Sequence, residues 1–330
     1  MSLMILIYIS SCVEIPNTSL RKLTSDELIQ RANDGNWPDI KTVTYMNPNG
    51  DTLLIDSIVK MNYNEIAFDD YVDESGKVVV AIVRPSTKED LEVRQKMKAV
   101  NLENNLDGRL SSYPFYSQHL GQERTLTTYI PKSAYPINTY FYLTDGTFVK
   151  YLAPKIDSLI QSKLITPIKL IGINCDRTNR QKEYIYKDAS AELFKKHLAF
   201  FTQEVPDSLE NQSYPNKTQR HLFGYSNGAD FCKHIGINYP EWAETIIAMS
   251  SVAYFPNLTN FERDNVSYPK FYFSSGKFEE LANRNLFLKT DLEKLGACVS
   301  YEEHPGGHEL TIWRDRFIEH LLNNFQYSES

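Results

Sequence analysis

The sequence predicts an α/β protein, a mainly parallel sheet with helices on both faces, preceded by a small α+β N-terminal domain. Three observations predict it. From about Tyr113 onward, short apolar runs rich in aromatic and β-branched residues alternate with longer helical patterns, the rhythm of strand, crossover helix and next strand. The first hundred residues lack that rhythm and carry β-rich runs closed by a charged helical stretch. The chain has 330 residues and 42% hydrophobic content, enough for one large core and a smaller unit.

In chain order, LTSDELIQRAND reads as a short helix with Thr24 or Ser25 as cap and acidic residues in its first turn. KTVTYMNPNGDTLLIDS holds two strand-like runs around Asn47-Pro48-Asn49-Gly50, a hairpin signal. NEIAFDDYV and KVVVAIVRP read as strands across Glu74-Ser75-Gly76, and STKEDLEVRQKMKAVNLENN as a helix. The boundary falls between Leu106 and Ser112, giving residues 13–109 to the small domain and 110–330 to the large one.

The large domain begins with strands at RTLTTYIP and NTYFYLTDG, the second buried. A helix through FVKYLAPKIDSLIQSK, a strand at IKLIGINC and a helix at SAELFKKHLAFFTQEV follow. Next come a strand at RHLFGYS, a helix from Asn227 to Asn238, and strands at ETIIAMS and PKFYFSSG. The chain finishes with a helix at LANRNLFLKTDLEKLG, a strand at ACVSYEEH and a helix at LTIWRDRFIEHLLNNF.

Composition narrows the partners. The net charge is −7 with both signs interspersed and no basic block, so nucleic acid is not an expected partner. The four cysteines lie far apart without CxxC or Cys/His spacing, so neither a metal site nor a disulfide framework is signalled. Cys12 differs from the other three. It closes MSLMILIYISSC, an apolar run whose Ile9-Ser10-Ser11-Cys12 resembles a lipobox, although no Lys or Arg precedes the run. Residues 1–12 are therefore expected to be a signal segment, with membrane attachment through lipidated Cys12 and a cell-envelope location, lipoprotein or periplasmic. If the segment is no signal, the expected location is cytoplasmic.

Chemistry concentrates at GYSNG, residues 224–228. Five residues of this kind arise by chance, so context decides. A strand precedes the motif and a helix follows it, which is what a serine on a tight strand-to-helix turn requires, with glycines flanking it where side chains would clash. That turn aims the helix N-terminus at the serine, where its amides favour developing negative charge. Asn227 is the first expected oxyanion donor, and the backbone of Gly146 and Thr147, in TDGTF after the buried strand, the second.

Ser226 needs a base, and the base needs an orienting acid. His234, His304, His308 and His320 lie downstream. His234 falls inside the helix after the serine, and His320 on the last helix at an expected surface position. His308 follows a strand and Gly306-Gly307, a loop free to place an imidazole over the serine; His304 is the alternative. The acid is expected in GKFEE, as Glu279 or else Glu280.

With these residues in order, the stretch from Arg124 to Trp313 resembles the esterase-D/enterochelin-esterase-like branch of the serine α/β-hydrolases, which also holds feruloyl and acetyl-xylan esterases. The carrying features are RTLTTYIP, YFYLTDG, NRQKEY, GYSNGAD, PKFYFSSGKFEE and HPGGHELTIWR. The resemblance implies a serine esterase with Ser226 as nucleophile, His308 as base, the acid in GKFEE, and no metal or cofactor. Gly228-Ala229 replaces the usual Gly-Gly, and Glu stands where Asp is common.

The expected substrate is a small-molecule or glycan-linked ester, such as a siderophore, feruloyl or acetyl ester. Tyr225, with Tyr254, Phe255 and Phe278, suits a planar acyl group. Arg177 and Arg180 either meet an anionic substrate or pair with Glu183 or Asp176. Two other functions fit the same residues: acyl transfer by the same triad, and a non-catalytic surface lipoprotein that binds glycan or siderophore.

Overall fold

A computed structural model describes residues 20–34, 38, 42–59, 61, 65–98, 106–133, 137–210, 218–252, 266–279, 281–304 and 306–328. Its contacts divide the chain into residues 1–99 and 100–330. At the start of the second unit the Asp157 carboxylate accepts the amides of Asp107 and Gly108 at 3.0 and 2.8 Å and the Tyr129 hydroxyl at 2.7 Å.

The first unit runs β1 (Arg21–Lys22), α1 (Ser25–Asp34), β2 (Thr44–Met46), α2 (Ile55–Val59), β3 (Ile66–Val72), β4 (Val78–Pro85) and α3 (Lys88–Lys98). Its sheet has the order β1-β3-β4-β2. Thr24 caps α1 reciprocally, accepting the Glu27 amide at 3.3 Å while the Glu27 carboxylate accepts the Thr24 amide at 2.9 Å. Only half of the hairpin expected around Asn47 forms. Asn47 Oδ1 takes the amides of Asn49 and Asp51 at 2.9 Å, and a single bridge joins Met46 to Thr52. The following run turns into α2, and β2 pairs in parallel with β4 instead.

The second unit runs β5 (Arg109–Ser117), β6 (Gln122–Ile130), β7 (Thr139–Leu143), α4 (Phe148–Gln161), β8 (Lys169–Ile173), α5 (Arg180–Tyr184), α6 (Ala191–Ala199) and α7 (Val205–Leu209). It continues with β9 (Gln219–Tyr225), α8 (Asn227–Asn238), β10 (Thr245–Met249), β11 (Lys270–Gly276), α9 (Ala282–Lys294), β12 (Val299–His304) and α10 (Leu310–Asn324). β5 and α5 have no counterpart among the expected elements. The helix expected from Ser190 to Val205 is α6, followed by a π turn at Phe200–Glu204.

The eight strands stand in the order β12-β11-β10-β9-β7-β8-β6-β5. The six from β12 to β8 are parallel, and β6 and β5 continue the sheet antiparallel. Side chains alternate across it, as the strand period of two demands. Tyr142, Leu222, Ile246 and Phe273 pack with Phe194, Phe231 and Leu292 from α6, α8 and α9. Phe141, Leu143, Phe223 and Ile247 pack on the other face with Phe148, Leu152, Trp313 and Phe317 from α4 and α10. Strand β7 has β8 on one side and β9 on the other, so chain order reverses there. In parallel α/β sheets the crevice beyond the strand ends at such a point is where ligands bind.

Four buried imidazoles accompany this core. His221 stacks on Phe141 with ring centroids 4.8 Å apart, and burial, then His320, push its imidazole down to about 4. A histidine held below its unfolded value is neutral in both states at neutral pH. As pH falls the unfolded chain takes up its proton first. The stability it contributes is therefore complete above about pH 6.5 and is lost as pH falls toward about 4. Urea unfolding should show a smaller loss between pH ~7 and ~5 for His221→Phe than for the wild type; identical losses would show that His221 is not held neutral.

Candidate active site

Strand β9 ends at Tyr225, α8 begins at Asn227, and Ser226 alone makes the turn, at φ 55° and ψ −129°. Non-glycine residues reach this region only at a cost of roughly 1–3 kcal/mol. Glycines at 224 and 228 make it possible. A Cβ on Gly224 would overlap the carbonyl of Gly228, and a Cβ on Gly228 would overlap the hydroxyl of Thr144. The Ser226 amide is tied to the carbonyl of Met249 on β10 at 2.9 Å, and its carbonyl accepts the Ala229 amide at 3.0 Å. The hydroxyl therefore leaves the turn at the carboxyl end of the sheet. Asn227, first residue of α8, presents that helix's unpaired N-terminal amides to the same place.

His308 lies between β12 and α10, and its side chain is 42% exposed. It lines one cleft of about 840 Å³ together with Ser226. Behind it stands Glu279, whose side chain is 4% exposed and whose Oε1 is 3.6 Å from His308 Nδ1. That is an ion-pair distance just beyond hydrogen-bond reach. With Nδ1 toward the carboxylate, Nε2 is the ring nitrogen left for the cleft.

Two loops hold this pair, and the backbone joins them. The Phe278 amide donates to the carbonyl of Gly306 at 3.0 Å, and the Lys277 amide to that of His304 at 2.9 Å. Gly306 has φ 119° and Gly276 lies under its carbonyl, where a side chain would collide. Gly276 of GKFEE and Gly306 of HPGGH are thus needed to bring the Glu279 and His308 loops into contact.

Glu280 lies outside the described residues, as do Cys12, Tyr254 and Phe255. His304 closes β12 as a buried residue, 2% exposed, away from the cleft lining. His234 sits among Phe194, Tyr186 and Tyr239, and burial pushes its imidazole down to about 4. His320, expected at the surface, is 8% exposed with its ring edge-on to Tyr272 at 4.3 Å, because α10 turns that side onto the sheet.

The loop after β7 departs from expectation. Thr147 lines the cleft, but its amide donates to Asn174 Oδ1 at 3.1 Å. Gly146 packs on Gly172, where a Cβ would stand 2.8 Å from the facing carbonyl group. Arg180 pairs with neither Glu183 nor Asp176. Its Nε and Nη2 hold the carboxylate of Asp145 at 3.0 and 2.9 Å, and Nη2 also reaches the Tyr225 carbonyl at 3.4 Å. Burial alone would lower this guanidinium's pKa, but the bidentate carboxylate more than offsets that and raises it. Glu183 instead takes Arg124 at 2.5 Å.

Tyr225 lines the cleft stacked on Trp313, ring centroids 4.3 Å apart, while Phe278 is buried. Cys175 also lines the cleft. Burial, then Asp145, push its thiol up to about 11, so it is no thiolate at neutral pH. Asp145, Asn174, Ser250 and Trp313 were not singled out in the sequence. Asp145 and Trp313 fall inside TDG and HELTIW, beside residues that were; nothing local marks Asn174 or Ser250. Among the described residues no group of His, Cys, Asp or Glu could hold a metal ion, and no helix is long and apolar enough to cross a membrane.

A glycine at 226 should relax the turn. Ser226→Gly is expected to be more stable than Ser226→Ala by about 1 kcal/mol in chemical denaturation, since alanine keeps the Cβ that makes φ 55° costly; equal midpoints would mean that the turn stores no strain.

No protein-family model matches the chain. The uncharacterized protein YjcH of Bacillus subtilis (strain 168) is 23% identical over 226 residues, covering 63% of this chain and 94% of that protein. Among solved structures, the enterobactin esterase of Shigella flexneri is 16% identical with a TM-score of 0.55, over 76% of this chain and 66% of that one. A ferulic acid esterase is 14% identical with a TM-score of 0.54, over 68% and 100%. An IroE-like serine hydrolase from Shewanella oneidensis is 16% identical with a TM-score of 0.53, over 65% and 80%. With strand order, elbow turn and these likenesses together, the second unit has the α/β-hydrolase fold.

Proposed function

We propose that the protein is a serine esterase that hydrolyses carboxylic esters through Ser226, His308 and Glu279 and an acyl-enzyme. The observation that carries this reading is Ser226, held at φ 55° on the strand-to-helix turn in one cleft with His308, with Glu279 behind the imidazole. His308 Nε2 takes the hydroxyl proton as Ser226 Oγ attacks the ester carbonyl, and Glu279 orients the ring and stabilises the imidazolium. The oxyanion rests on the Asn227 amide and, in the loop after β7, on the Gly146 amide, since that of Thr147 is taken by Asn174. The imidazolium then gives its proton to the leaving alcohol. Water, deprotonated by the same nitrogen, attacks the acyl-enzyme and restores Ser226.

Of the arginines that line the cleft, only Arg177 is exposed. Arg180 is paired with Asp145 and Arg124 with Glu183, so neither is an unopposed cation for an anionic group. Tyr225, backed by Trp313, offers an aromatic wall suited to a planar acyl group. The solved relatives named for enterobactin and ferulic acid set the ester panel to try.

Wild-type protein should hydrolyse p-nitrophenyl acetate and label with a fluorophosphonate probe. Ser226→Ala should lose labelling and nearly all activity, about 10⁶-fold in kcat where the background allows it to be read. A wild type that neither labels nor hydrolyses any ester of a short acyl, feruloyl and catechol-siderophore panel would falsify the esterase reading. Cys12 as lipid attachment point and a cell-envelope location belong to the same proposal, supported by Ile9-Ser10-Ser11-Cys12. In detergent phase separation of expressing cells, wild type should enter the detergent phase and Cys12→Ser the aqueous phase; identical partitioning would remove the lipid anchor.

A further inference from the structure

We infer that Ser250 and Trp313 are positioning residues for the triad acid, acting on the chemistry through Glu279 and His308. This rests on the esterase reading above. Ser250 follows β10, is fully buried, and has φ 51°, the left-handed region that a non-glycine residue enters only under constraint. Its amide is fixed on the carbonyl of Ser274 at 2.8 Å, which sets where its side chain points. Trp313 Nε1–H donates to Ser250 Oγ at 2.8 Å, and the Ser250 hydroxyl donates to Glu279 Oε1 at 2.8 Å. The indole has no acceptor role, so hydrogen bonding runs one way, from Trp313 through Ser250 to the carboxylate.

That carboxylate oxygen is the one His308 uses, 3.6 Å from Nδ1. The other, Oε2, is buried with no hydrogen-bond partner among the described residues. The Ser250 hydroxyl is therefore the side-chain anchor that selects which oxygen faces the imidazole. A glutamate needs such an anchor more than an aspartate does, because it has one more rotatable bond to fix. Trp313 meets the base as well: its ring stands edge-on to His308, with centroids 4.7 Å apart and planes at 89°, and stacks on Tyr225 at 4.3 Å and 17°. One indole thus touches the donor to the acid, the ring of the base and the aromatic wall of the cleft.

Ser250→Ala, made in the wild-type and the Glu279→Ala backgrounds, tests the inference with p-nitrophenyl acetate kinetics. In the wild-type background kcat should fall on the order of tenfold with KM changed by less than about twofold, and fluorophosphonate labelling should slow in step. In the Glu279→Ala background the same substitution should cost nothing further, because a residue that acts through the acid has nothing left to position. Trp313→Phe keeps an aromatic ring at this position and removes the N–H together with part of the indole. It should lower kcat several-fold, again only while Glu279 is present, and it carries the test if Ser250→Ala does not fold. An unchanged kcat, a rise in KM alone, or an equal loss without Glu279 would overturn the positioning role. A wild type inactive on every ester and unlabelled is a different result, seen before any variant is made; it removes the esterase reading and this inference with it.

Discussion

A serine at φ 55° stays there only while its neighbours leave the backbone no better choice. Here the constraint is close packing of peptide on peptide. Gly224 lies against the carbonyl of Gly228, and Gly228 against Thr144 at the end of the adjacent strand. The Ser226 amide is spent on Met249 of the strand on the other side. Three neighbouring strands thereby define one turn, and strand order, helix entry and the direction of the hydroxyl follow from it. The strain is modest beside the burial of Phe223, Phe231 and Ile246 around it, each fully or almost fully removed from water.

The second half of the site is built by a different device. Parallel strands deliver their following loops to the same edge of the sheet, so the loops after β7, β9, β11 and β12 converge without any long insertion. Between the last two, backbone hydrogen bonds at Lys277 and Phe278 hold the Glu279 loop to the His308 loop. This leaves Glu279 buried and His308 half open to the cleft.

Charge around the turn is handled by pairing inside the fold. On α8, fully buried Lys233 pairs with Asp230 at 2.9 Å, and Ser251 bonds to both; burial nevertheless pulls the lysine's pKa down. Arg124 with Glu183 and Arg180 with Asp145 fix α5 and its preceding loop against the sheet. The Lys233–Asp230 and Arg124–Glu183 pairs are buried; such pairs add little net stability, but removing one partner leaves an uncompensated charge. Ser250 and Ser251, consecutive in sequence, divide their work. The first bonds to Glu279 and the second to the ion pair on α8.

Much of this was legible in the chain alone, because it rests on local pattern. Alternating runs from Tyr113 onward marked the sheet. GYSNG between a strand and a helix marked the elbow, since only glycine tolerates the close approach on either side of Ser226. The order of GKFEE and HPGGH marked the loops that carry Glu279 and His308. What sequence could not assign depends on contacts between distant segments. Arg180 finds Asp145 across 35 residues, Asn174 takes the Thr147 amide across 27, and Trp313 reaches Ser250 across 63. The hairpin expected at Asn47 became a bridge and a helix because β2 found its partner in β4. A side chain's own pattern says which face of a strand or helix it occupies. Only the packed sheet decides which polar group it meets there, because that partner is set by strand order, and strand order is a long-range property.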